Sequence, residues 1–110
     1  MTFKDFGNYQ RERIQKRLKM SDEKGLAYAG TGDRFDNFNR LGVRLSLPRE
    51  HILLVYLHKH IDAITSTITD KNDGGESIHS RIDDAITYLE LLDGMMYEDN
   101  AEVPSERTWS

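Results

Sequence analysis

The 110 residues contain no cysteine. Disulfides, thiolate metal sites and thiol redox chemistry are thereby excluded, and with them the stapled secreted class and most structural zinc classes. Proline is almost as scarce. Of the two present, Pro48 falls where a helix begins and Pro104 lies in an acidic terminal segment. Long hydrophobic runs are missing as well: none approaches the ~18 residues of a membrane helix, and Met1 to Gln10 lack the apolar centre of a signal peptide. A cytoplasmic location is the expectation. Familiar catalytic signatures are also lacking, since no Walker-type phosphate loop and no HExxH occurs. Gly30-Thr31-Gly32 is too short for a dinucleotide fingerprint, has no preceding strand, and reads as a turn.

What is present fits one domain with one modest core, given 37% hydrophobic residues. The net charge of −4 conceals an asymmetry: residues 1 to 60 hold 12 Lys/Arg against 7 Asp/Glu, and residues 61 to 110 hold 3 against 12. The basic side is concentrated at Arg11, Arg13, Lys16, Arg17 and Lys19, which could meet nucleic-acid phosphate or an acidic protein. A solvated face, or docking on the acidic half of a second copy, accounts for the same charges.

The pattern is all-α. Phe3 to Met20 carries Phe3, Phe6, Ile14 and Leu18 at near-helical spacing among charged side chains, with Gly7 weakening the start. From Ser21 to Leu47 glycines break the pattern, leaving a long loop in which only Arg34 to Leu41 can form a short helix. Loops of that length are often functional. Ser46-Leu47-Pro48 then starts a helix, with Ser46 as the expected cap and Pro48 in the first turn.

Two long helices follow, about 48–69 and 76–97. On the first, Leu54, Leu57, Ile61, Ile64 and Ile68 step by three and four. On the second, Ile78, Ile82, Ala85, Leu89, Leu92 and Met96 do the same. The polar turn Asp70 to Gly75 makes them an antiparallel hairpin, and pairing Ile68 with Ile78 sets Ile61 against Ala85 and Leu54 against Leu92 in one constant register. Each large side chain buried in this seam contributes ~1.5–3 kcal/mol. Ile52, Leu53, Val55, Ile86 and Leu91 are left without a partner in one chain, which predicts a homo-oligomer. A single helical domain of residues 1–98 and a mobile acidic tail of 99–110, with Trp109 in it, complete the expected organisation.

The register also gathers polar groups. One flank collects His60, Arg81, Tyr88 and, slightly further out, Asp84 and Ser77, with Lys59 beside His60. Cations to hold phosphate, a ring to stack and a carboxylate to orient Arg81 or a sugar hydroxyl suit a phosphorylated ligand. An ordinary Arg81–Asp84 surface pair is the plainer account. On the other flank His58 precedes Asp62, and His79 precedes Asp83, each by four residues. Such pairs can approach a divalent metal, although the register sets them too far apart to share one ion.

Tyr28, then Asp33-Arg34-Phe35-Asp36-Asn37-Phe38, then Val55 to Ile64 with Lys59-His60-Ile61-Asp62-Ala63-Ile64, then Glu76-Ser77-Ile78 through Arg81, Asp84 and Tyr88, resemble a family of small helical phage proteins. That family is similar to the nucleotide-modification-associated domains and, more distantly, to the MazG-like all-α nucleotide pyrophosphohydrolases. The resemblance covers about Gly25 to Met96. It implies a phage origin, a host-cell cytoplasmic location and a role around nucleotides, with Lys59, His60, Glu76, Arg81, Asp84 and Tyr88 at matching positions. The pyrophosphohydrolase pattern of paired acids is not intact: Lys59, His60 and Asp62 stand on one helix, Glu76 is followed by His79 on the next, and Ala27 replaces an acidic residue before the loop tyrosine. Magnesium prefers several carboxylate oxygens.

The leading expectation is a nucleotide-binding accessory protein that sequesters a nucleotide signal of host defence or serves phage nucleotide metabolism. Its ligand, a nucleotide or cyclic nucleotide, would be held by Lys59, His60, Arg81 and Asp84 and stacked on Tyr88 or Tyr28, with no cofactor. Two alternatives stand beside it. One is a magnesium-dependent pyrophosphohydrolase, with Asp62, Glu76 and Asp83 as the weaker metal candidates, and the other is a nucleic-acid or protein interaction module using the basic first helix.

Overall fold

The computed structural model of the chain describes residues 1–27, 32–71 and 74–100. Four helices run through them: α1 (Phe3–Ala27), α2 (Asp36–Leu45), α3 (Arg49–Asp70) and α4 (Ile78–Asn100). No strand occurs among the described residues, and no described helix is long and apolar enough to cross a membrane. The all-α expectation holds. Residues up to Arg34 form one compact unit and those from Phe35 onward another.

In the first unit, α1 outruns its expected end at Met20 by two turns. Thr2 opens it, its hydroxyl accepting from the Asp5 amide at 3.0 Å and its carbonyl from that of Phe6, which satisfies two of the amides a helix start leaves over. Long charged side chains favour helix through Lys24, so the segment expected as loop contracts. The apolar stripe is thinner than expected: Ile14 is half-buried, while Phe3, Phe6 and Leu18 are exposed.

The second unit is built on the α3–α4 hairpin, with α2 packed on α3. Helix α2 is displaced from the expected 34–41, because Phe35, Phe38 and Leu41 share one helical face and that face reaches the hairpin. At its end Ser46 adopts the left-handed conformation, with φ 56°. The amides of Ser46 and Leu47 then turn back to the carbonyls of Val43 and Gly42, closing the free end of the helix. Ser46 is therefore the C-cap of α2, and the expectation that it caps α3 is corrected. Pro48 stands at the N-cap of α3 with no side-chain hydrogen bond, and its carbonyl accepts from the His51 amide at 3.0 Å. Gly42 makes this corner possible, since a Cβ there would lie 2.8 Å from the Leu47 carbonyl oxygen.

The expected hairpin register holds to within a residue or two: Tyr56 lies beside Tyr88, His60 beside Asp84, and Arg49 beside Glu98 and Asp99. The buried face differs. Leu57 and Ala85 are buried as expected, but Leu54, Ile61, Ile68, Ile82, Leu89 and Met96 are exposed. In their place Phe38, Ile52, Leu53 and Met95 form the core, flanked by Phe35, Leu41, Tyr56, Tyr88, Leu91 and Leu92. A two-helix pattern takes no account of a third element: α2 draws the Ile52–Tyr56 side of α3 inward, and the hairpin rolls to meet it. Ile52 and Leu53, expected to seek a partner subunit, are covered within the chain instead. Leu53 and Met95 are fully buried, and each contributes ~1.5–3 kcal/mol.

Helix α4 begins on Ser77, whose hydroxyl accepts from the Ser80 amide at 3.1 Å, and runs on to Asn100. Asp99 and Asn100, expected in the tail, thus belong to its last turn. The remainder of that tail, with Trp109, and Asn72 and Asp73 of the turn lie outside the described residues, as does Tyr28.

Candidate functional site

The hairpin positions the predicted flank through ring contacts. Tyr56 and Tyr88, facing each other from α3 and α4, lie nearly parallel with centroids 6.3 Å apart. The Phe38 ring meets both edge-on, at 5.9 and 6.2 Å. His60, one turn beyond Tyr56, packs on Tyr88 with centroids 4.8 Å apart, and its Nδ1 is 4.0 Å from Asp84 Oδ2. Lys59 places its Nζ 5.6 Å from the Tyr56 ring centroid, within the range of a cation–π contact. Lys59, His60, Asp84 and Tyr88 are therefore brought together, and Tyr56 joins them. Tyr56 is not among the residues the sequence singles out, although it stands one helical turn before His60.

Arg81 shares the α4 face of Asp84 and Tyr88, three and seven residues ahead of them. Its guanidinium is mostly buried, 3.7 Å from Glu76, and lies over Gly74, where a Cβ would stand 2.8 Å from Nη2. Gly74 has a φ of 61°, so its missing side chain serves both the turn and the arginine. Glu76 also accepts from the Ser80 hydroxyl at 2.9 Å. Glu76 is thus engaged with its own helix start.

The metal candidates are not gathered. Asp62 is exposed and Asp83 buried, and among the described residues no three His, Asp or Glu side chains approach closely enough to hold one ion.

A second polar constellation escaped the sequence reading. Arg49, on the first turn of α3, donates to Glu98 at 2.8 Å, to Asp99 at 2.7 Å, to Asn39 of α2 at 3.2 Å and to the Met95 carbonyl at 3.4 Å. Its guanidinium also lies 5.3 Å from the Phe35 ring centroid, and Glu50 is 3.7 Å away. Burial works against the Arg49 charge, but the hydrogen bonds to Glu98 and Asp99, with their charges, outweigh it and hold its pKa above the ordinary value. Asp99 is held below the ordinary aspartate range by a hydrogen bond with the Glu50 carboxyl group and by Arg49, against the opposing pull of burial. The signal was available: the hairpin register that pairs Leu54 with Leu92 also sets Arg49 level with Met95 to Asp99. Beside Arg49, an open groove of about 370 Å³ is lined by Asn39, Gly42, Val43, Ser46 and Leu47. The carboxylates already occupy the guanidinium, so this constellation reads as a clamp joining α2, α3 and α4.

No protein-family model, curated protein or solved structure matches the chain.

Proposed function

We propose that this chain binds a phosphorylated nucleoside on the α3–α4 flank, without metal-dependent hydrolysis. The phosphate is held by Lys59, His60 and Arg81, the base lies against the Tyr88 ring system, and Asp84 orients His60 or a sugar hydroxyl. What supports the reading above all is the convergence of His60, Asp84, Tyr88 and Lys59 around one aromatic patch. The scatter of Asp62, Glu76 and Asp83 supports its non-hydrolytic part. The resemblance to phage proteins extends the proposal to a viral accessory protein working in the host cytoplasm, which withholds a nucleotide signal of defence or handles nucleotides for the phage.

Calorimetry against mononucleotides and cyclic dinucleotides tests it. Wild-type protein binds at least one member of the panel, and Lys59→Ala and Arg81→Ala each weaken that binding tenfold or more while the helical circular dichroism is kept. Absence of binding across the panel, or equal binding by both variants, would reject the reading.

A further inference from the structure

The face of the hairpin turned away from α2 carries a pattern that α2 does not cover. Leu54, Ile61 and Ile68 follow one another at intervals of seven on α3, and Ile82, Leu89 and Met96 do so on α4. Each is between 36% and 67% exposed. A sevenfold repeat keeps each triplet on one line of its helix. Both lines adjoin the buried Leu57 and Ala85, and the α3 line lies about half a turn round from Ile52 and Tyr56, which face α2. Six such side chains present on the order of 500 Å² of apolar surface, at the upper end of what a monomer leaves open.

We infer that a second copy of this chain covers this face, the two hairpins forming an antiparallel four-helix bundle. The surface fits itself. With a two-fold axis parallel to the helices, α3 opposes α4 of the second copy in the same register that pairs them within one chain. Leu54 then falls between Leu89 and Met96 of the second copy, and Ile61 between its Ile82 and Leu89, so the two stripes interleave as knobs and holes. The rim matches too: exposed Asp93 falls between the levels of His51 and His58 of the second copy, setting a carboxylate against two imidazoles. With such a rim the contact comes into the range of about 800 Å² per partner that a stable pair requires. The inference is independent of the ligand reading, because the proposed site lies on the opposite face.

Light scattering tests it directly. The full chain at about 100 μM has twice its 12.8 kDa mass, and Ile61→Lys and Leu89→Lys each return it to a single-chain mass with unchanged circular dichroism. A single-chain mass for the wild type, or an associated mass that survives both substitutions, overturns the inference. Since the chain has no cysteine, pairing can be read separately: a mixture of Ile61→Cys and Leu89→Cys proteins joins through a short bismaleimide, and Ile61→Cys alone does not. Efficient self-linking of Ile61→Cys would refute the opposition of α3 to α4.

Discussion

The two faces of the α3–α4 hairpin draw on the same kinds of residue and do different things with them. On one face α2 packs on the hairpin, Phe38, Ile52, Leu53 and Met95 are buried, and a ladder of half-buried rings leads from them to His60. On the other, six large apolar side chains repeat every seven residues and remain open. The open face has the cleaner pattern and the covered face has the core. Periodicity therefore reports where a helix can be covered, while the element that does the covering is set by chain connection and local turns.

The widest separation between the faces is expected from truncating one side chain on each. Leu53→Ala should cost about 3 kcal/mol, since a fully buried leucine leaves a cavity behind. Ile61→Ala, measured in dilute protein, should cost less than about 1 kcal/mol, because its side chain is 44% exposed. Urea unfolding of both variants checks this, and equal losses would erase the distinction.

A smaller effect is expected from Arg49, which ties α2 and α4 to the covered face. Arg49→Met should cost about 1–2 kcal/mol at neutral pH, discounted because Glu98 and Asp99 remain 60% and 45% exposed. The pH dependence has a definite sign. Asp99 is lower in the folded state than its ordinary value of 3.8, so it contributes stability that is full above that value and lost as pH falls through the depressed one. Unfolding followed from about pH 6 to about pH 2.5 should show this loss in the wild type and a shallower one in Arg49→Met. Parallel curves would mean that the hydrogen bond with Glu50, the larger cause of the lowering, holds Asp99 down without Arg49.

The smallest effect is a gain. Ser46 holds a left-handed conformation that glycine adopts without strain, and Ser46→Gly should stabilise the covered face by about 0.5 kcal/mol after glycine's own entropy is counted. Thermal unfolding measures it, and a loss would show that the serine side chain contributes more than its backbone costs.

These residues also mark how far the sequence could be read. The helical hairpin was legible in its length, turn and register, because steps of three and four on two segments leave few other pairings. His60, Asp84, Tyr88 and Lys59 could be grouped for the same reason. The roll of the hairpin was not legible, since it depends on Phe35, Phe38 and Leu41: the short helix expected at Arg34 to Leu41 carries them, but the apolar stripes do not say which side of the hairpin it covers. Ser46 misled for a local reason: a serine before proline is as good a cap in sequence as it is a helix end in space, and only Gly42, by admitting the Leu47 carbonyl, decides between them. Arg49 lies off the apolar stripes and so carries no periodic signal, although the register sets it level with its partners.

The position of Arg49 also bears on the order in which the hairpin assembles. Its carboxylate partners lie 49 and 50 residues away along the chain, whereas His60 and Asp84 are close to the turn. Closing short loops costs less entropy than closing long ones, so pairing is expected to advance from Gly74 outward and to reach Arg49 late. A clamp that forms late acts as a latch on unfolding, so Arg49→Met is expected to speed unfolding while leaving the refolding rate almost unchanged, which stopped-flow kinetics in urea would check.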